Sequence, residues 1–162
     1  MTNEKLKKEE VLSIEPTFLD NLQEASQWQN EYETIEVVRN SKKLFAFRVC
    51  GLSQEEIEMI TKKSSIYTKT RAGLRGRDDF KESEFNSRVI HMGTHPDDAQ
   101  ALWDNKEARK AIGAMSPLIM IDKVFKPGEK LDIANRIMRL AGLDQNGDPI
   151  QQEQEKDDLV KN

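Results

Sequence analysis

The sequence predicts an α+β fold, mainly α, in which an N-terminal β-hairpin packs against about five helices and an acidic C-terminal tail stays disordered. Two sequence patterns point to it. Thr34 to Val38 and Leu44 to Val49 are rich in β-branched and aromatic residues, with a polar Asn40–Lys43 stretch between them that suits a hairpin loop. From Ser53 onward, cap and breaker residues recur at intervals that delimit helices. Composition adds a third observation. The 162 residues are 36% hydrophobic and 33% charged, against roughly 45–50% and about 25% in ordinary domains, so part of the chain lies outside any core. The expected organisation is an acidic N-terminal arm over residues 1–30, one globular domain over 31–143 and an acidic tail over 144–162.

In the second strand Phe45, Phe47 and Val49 share one face by period two, and this face should be buried. A hairpin alone is marginal in water, so helices must cover it. Ser53-Gln54-Glu55-Glu56 is a capping box, with Leu52 placed to staple against Ile57. It opens a helix to about Lys63 that buries Ile57 and Ile60. The basic segment after it, with Gly73 and Gly76, reads as a loop. Asp78 and Asp79 suit the N-terminus of a second helix carrying Phe85, Val89 and Met92 at i, i+4, i+7 spacing. His95-Pro96-Asp97-Asp98 starts a third helix, with Leu102, Trp103, Ala108 and Ile112 as apolar contacts and Gly113 as its end. Ser116-Pro117 repeats the signal before a short helix, Leu118 to Phe125, that is apolar nearly all round. Lys126-Pro127-Gly128 breaks it. The last helix, near Glu129 to Ala141, carries Leu131, Ala134, Met138 and Ala141 on one stripe, with Gly142 as a left-handed cap and Leu143 as its hydrophobic follower.

The net charge of −4 is unevenly spread. The first 36 residues hold nine acidic side chains and three lysines. Thr61 to Arg77 holds six basic residues and no acidic one, and Asp144 to Asn162 has six acids and two lysines. Past the turn-like Asn146-Gly147-Asp148-Pro149, only Ile150, Leu159 and Val160 are sizeable apolar groups, too few to offset the entropy of ordering the tail. No apolar run approaches the roughly 20 residues of a spanning helix, and the N-terminus lacks the apolar stretch of a signal peptide, so a soluble, unexported protein without membrane contact is expected. The single cysteine, Cys50, rules out an internal disulfide and sits in an apolar run where a buried, inert thiol is expected.

Candidate chemistry is sparse. His91 and His95 stand at i, i+4 beside Asp97 and Asp98, a spacing that can share a metal on one helical turn. Gly93 and Pro96 suggest that the helix ends between them, and Met92 stands where HExxH needs glutamate, so a capping role for His95 is expected and no metal. There is no Gly-x-Ser-x-Gly elbow, no recognisable Cys–His pattern and no P-loop, which argues against an enzyme and leaves no catalytic residue or cofactor to assign. Lys62, Lys63, Lys69, Arg71, Arg75 and Arg77 are candidates for electrostatic contact. A small nucleic-acid-binding or regulatory protein using residues 62–77 is the alternative function, with Tyr67 able to stack on a base. The acidic balance of the whole chain weighs against nucleic acid.

The order of these signals resembles the XkdN-like phage tail assembly chaperones, over roughly Thr34 to Leu143. The residues that carry it are Phe45-Ala46-Phe47-Arg48-Val49, Ser53-Gln54-Glu55-Glu56, Phe85 to Ile90, Pro96-Asp97-Asp98 and Leu118 to Val124. Lys126-Pro127-Gly128-Glu129, Ile133 to Ile137 and Leu140-Ala141-Gly142-Leu143 follow. The Pro-Gly-Glu turn between two apolar helices, closed by Leu-x-Gly, is the most specific piece. The resemblance implies a cytoplasmic, non-catalytic assembly factor of a phage or prophage of Gram-positive bacteria, absent from the finished virion. It also implies that the factor binds and solubilises the tape measure protein before tail tube subunits polymerise, and that a programmed frameshift can lengthen it in many tail clusters. It supplies no site residues.

A tape measure is a long amphipathic helix, and a helix-in-groove contact would suit it. The expected partner-binding residues are Leu118, Met120, Ile121, Val124 and Phe125 on the short helix and Ile133, Ile137 and Met138 on the last one. The alternative is that they are committed to the chain's own core. The acidic tail can instead dock on the Lys62 to Arg77 segment and regulate access. The apolar short helix and the segments around Trp28 and Trp103 leave a homo-oligomer open.

Overall fold

A computed structural model describes residues 15–28, 31–69, 75–144 and 146–150. The chain divides into two units, Met1–Glu31 and Tyr32–Asn162. The described part of the first unit is helix α1, Glu15–Trp28, whose Phe18, Leu19 and Leu22 are all exposed. Sequence reading treated this stretch only as an acidic arm. The remainder of that arm, residues 1–14, lies outside the described residues.

The second unit is mainly α with an N-terminal β-hairpin, as expected. Strands β1 (Tyr32–Arg39) and β2 (Lys42–Cys50) pair antiparallel, with Ile35 opposite Phe47 and Val37 opposite Phe45. The connection is tighter than the Asn40–Lys43 loop expected. Only Asn40 and Ser41 turn the chain, both at positive φ (49° and 63°), the left-handed pair that matches the twist of adjoining strands. Ile35, Val37, Phe47 and Val49 are buried and Phe45 is packed against them, so the Phe face is the core face. Cys50 is half-buried rather than buried. Its partial burial pushes the thiol up, outweighing the opposite pull of Arg48.

Helix α2 (Gln54–Lys63) begins on the expected capping box. The Glu56 N–H donates to Ser53 Oγ at 3.3 Å, and the Ser53 N–H donates to Glu56 Oε2 at 2.8 Å. The basic segment is not a plain loop. It forms a second antiparallel hairpin, β3 (Ser65–Lys69) and β4 (Arg75–Phe80), with Tyr67 opposite Arg77 and Lys69 opposite Arg75. Its glycines masked the β-branched and aromatic Ile66-Tyr67-Thr68 run. Asp78 and Asp79 consequently belong to β4 rather than to a helix start, and α3 begins at Glu82, running to Gly93.

Helix α3 is central, packing against α2, β2 and the two last helices. Because it is covered from several sides, its buried set is Ser87, Val89, Ile90 and Gly93, and Met92 from the expected stripe points outward, 38% exposed. The single helix expected from Pro96 to Ile112 is two: α4 (Pro96–Ala101) and α5 (Lys106–Ile112). Asn105 restarts the second by accepting from the Glu107 and Ala108 N–H groups, both at 3.1 Å, and Gly113 ends it at φ 77°. Trp103, fully buried in the intervening turn, donates to Thr94 Oγ1 at 3.0 Å and meets Phe47 and Phe125 edge-on.

Helix α6 (Pro117–Val124) is capped by Ser116, and α7 (Pro127–Leu140) begins two residues before the expected Glu129, because Pro127 serves as its first residue. The buried stripe of α7 is Lys130, Ile133, Ala134, Ile137 and Met138, one position round from that expected, and Leu131 is 44% exposed. Its end is a Schellman motif: Gly142 at φ 79° donates to the Arg139 carbonyl and Leu143 to that of Met138. Asp144 then accepts from the Asn146 and Asp148 N–H groups, and Ile150 donates back to Gly142, so the start of the expected tail is a folded turn. The remaining tail, residues 151–162, lies outside the described residues.

One polar junction holds α3, α6 and α7 together. The buried Lys130 ammonium donates to Asp122 Oδ1 (2.5 Å), Ser83 Oγ (3.0 Å) and the Ser83 carbonyl (3.1 Å), and Ser87 Oγ donates to Asp122. Asp122 is half-exposed whereas Lys130 is enclosed, so the two partners are unequal. Asp122→Ala, which strands a buried charge, should cost roughly 3 kcal/mol. Lys130→Met, which replaces the ammonium by an apolar chain of similar length, should cost less. Urea midpoints that ranked the two in reverse would contradict this.

Candidate functional site: a methionine-lined groove

The structure separates the eight expected partner-binding residues. Met120, Ile121, Phe125, Ile133, Ile137 and Met138 are all buried in the core, which corrects their expected place on a surface groove. The all-round apolar character of α6 reflects a helix sandwiched between α3, α5 and α7. Leu118 and Val124 alone are partly exposed. A Met120→Asp or Met138→Asp variant would therefore report on folding rather than on binding.

The exposed members of two expected sets nonetheless meet. A groove of about 380 Å³ opens between α2, α3 and the start of α6, with Met59, Met92, Pro117 and Leu118 as apolar lining, Lys63 and Arg88 as cationic lining and His91 beside them. Met59 and Met92 are 39% and 38% exposed. Met115, 90% exposed, immediately precedes the Ser116 cap at its edge. The sequence assigned Leu118 to the partner-binding set and Lys63 to the electrostatic set. It gave no sign of Met59 and placed Met92 on a stripe expected to be buried.

The groove's polar side chains are differently engaged. Arg88 donates to Glu84 Oε1 at 2.6 Å, one turn earlier on α3, and this holds the Glu84 carboxyl below its usual range. His91 Nε2 lies 2.8 Å from Asp104 Oδ1. Lys62 and Lys63, exposed in the last turn of α2, belong to none of the ion pairs among the described residues. Lys69, Arg75 and Arg77 follow on the β3–β4 hairpin, and Arg71 lies outside the described residues.

His91 and His95 do not share a helical face. Helix α3 stops at Gly93, and His95 is the N-cap of α4, where its Nδ1 accepts from the Asp97 N–H. Among the described residues, no three His, Cys, Asp or Glu side chains gather as metal ligands. Asp98 serves another purpose. It accepts from Arg48 Nε (3.0 Å), Nη2 (2.9 Å) and backbone N–H (2.7 Å), tying α4 to β2, and these bonds pull its carboxyl down to about 2. A carboxyl depressed on folding contributes stability that is present above its unfolded pKa near 4 and is lost as pH falls toward 2. Asp98→Asn should therefore flatten the fall in melting temperature between pH 4 and pH 2 and lower the plateau at pH 7. An unchanged acid limb would contradict the clamp.

A cleft of about 330 Å³ between β1 and α7 is lined by Ile35, Val37, Phe125 and Ile133 beneath a rim of paired charges. Arg39 there bonds Glu129 and the Val124 carbonyl. No helix among the described residues is long and apolar enough to cross a membrane.

The second unit is mainly helical, and Met59, Met92 and Leu118 line a groove on it. Residues 17–155 match the family described as Phage XkdN-like tail assembly chaperone protein, and the chain belongs to that family. The match is wider than the Thr34–Leu143 resemblance and takes in α1. Among solved structures, the crystal structure of the protein yqbn aligns at 18% identity, covering 70% of this chain and 88% of that one, with a TM-score of 0.46. No curated protein sequence matches.

Proposed function

We propose that this tail assembly chaperone binds the tape measure protein in the host cytoplasm, keeps it soluble until tube subunits assemble around it, and is absent from the mature virion. Binding alone is its activity, with no catalytic step and no cofactor. Membership of the tail chaperone family carries this reading. The Met59–Met92–Leu118 groove supports it, because flexible thioether side chains adapt to varied apolar surfaces, as a long and irregular amphipathic partner requires. A tail tube subunit is a second candidate partner, and self-association would let several copies coat one elongated chain.

Affinity purification after co-expression with the tape-measure-like protein of the same gene cluster tests the reading. A complex that stays together through size exclusion, with light scattering giving its stoichiometry, is the expected result. Recovery of the chaperone free of that partner, but with nucleic acid released by moderate salt, would favour the basic-segment alternative instead.

A further inference from the structure

We propose that the groove between α2, α3 and α6 takes an amphipathic helix of the tail partner whose apolar stripe is flanked by acidic residues. The proposal rests on the chaperone reading and names the partner chemistry at that site. Three observations carry it.

The groove is walled by helices, and among the described residues no strand residue lines it, so it offers an extended peptide no backbone ladder to join. An occupant must satisfy its own backbone hydrogen bonds, which a helix does. The lining is a methionine and leucine surface of a size suited to a few large apolar side chains. Lys63 and Arg88 line it beside His91, and among the described residues no carboxylate does. Arg88 and His91 are already matched by Glu84 and Asp104 from outside the lining, whereas Lys63 and its neighbour Lys62 have no ion pair among the described residues. An incoming acidic flank would meet ammonium groups that have no ion pair among the described residues, and a basic flank would meet like charge.

Helix α1 shows which helix fits less well. At 100° per residue, Asp20 and Glu24 lie opposite its Phe18–Leu22 stripe and Glu15 falls within it, so no acid of this helix flanks the stripe. A second copy's α1 is thus the competing occupant.

The test uses the full chain labelled at the methionine methyl groups and two helical peptides with the same leucine-methionine stripe, one flanked by Glu and one by Lys. The Glu-flanked peptide should bind about tenfold more tightly, a preference that Lys63→Glu abolishes. It should shift the Met59 and Met92 methyl signals and leave those of buried Met120 and Met138 in place. Equal or tighter binding of the Lys-flanked peptide, or shifts confined to other methionines, would overturn the proposal. So would Met59 and Met92 shifts that follow protein concentration alone and vanish in Phe18→Ser/Leu22→Ser, which would assign the groove to α1. If Lys63→Glu co-purifies with the tape-measure-like protein as well as the wild type does, the acidic-flank assignment fails while the chaperone reading stands. Failure of the wild type itself to co-purify would overturn both.

Discussion

Gly51→Ala is expected to destabilise the second unit by about 3 kcal/mol, at the upper end of overpacking penalties, and Gly51→Val to prevent accumulation of folded protein. A Cβ at Gly51 would stand 2.8 Å from the Leu140 carbonyl carbon and oxygen and 2.9 Å from the Ala141 nitrogen. These are backbone atoms in the last turn of α7, fixed by the Schellman motif that follows, so they cannot rotate aside as a side chain would. The glycine lets the β2–α2 connection lie directly on the end of α7, which closes the fold between its first and last elements. Gly128→Ala is the control. Nothing lies within 4 Å of a Cβ there, and in the first turn of α7 alanine should be neutral or stabilising. Equal urea midpoints for Gly51→Ala and wild type would mean that α7 does not approach so closely.

Trp103→Ala should be comparably severe, at about 4 kcal/mol, or a melting temperature lower by roughly 10–15 °C. The side chain is fully buried, and its ring centroid lies 5.5 Å from that of Phe47 and 5.6 Å from that of Phe125. It thereby joins the hairpin, the α4–α5 turn and the end of α6 in one aromatic cluster. Its removal leaves a large cavity and takes from Thr94 Oγ1 the indole N–H that it accepts. Trp103→Phe keeps much of the volume and loses only that bond, so it should recover more than half of the loss. If Trp103→Phe were as damaging as Trp103→Ala, the hydrogen bond rather than the packing would dominate.

The elements that were legible in the sequence are those whose signals are local. Ser53 and Glu56 cap α2, Pro96 and Pro117 each open a helix, and Gly142 closes α7 because each of these residues acts within one turn of its own position. The β3–β4 hairpin was not legible, because its strands depend on pairing across a glycine-containing connection and its basic residues looked like a solvated loop. The split of α4 from α5 turned on Asn105, a cap residue with no proline or glycine beside it to draw attention.

The site was harder to read for a different reason. Apolar residues alone do not say which way a helix faces, and α6 and α7 are each covered by neighbours that only tertiary structure reveals. Met120, Ile121 and Ile137 therefore looked available and are core, whereas Met59 and Met92, on helices read as ordinary amphipathic ones, are the residues left at the surface.

In the proposed function this chain keeps an aggregation-prone tail protein in solution. The most direct test is the fraction of the tape-measure-like protein from the same gene cluster that remains in the supernatant after lysis, produced alone and together with this chain. The account predicts a mostly pelleted protein when it is produced alone and a mostly soluble one with the chaperone, the gain being reduced by Lys63→Glu. A tape-measure-like protein that is equally soluble without the chaperone, or one that pellets regardless of it, would contradict the claim.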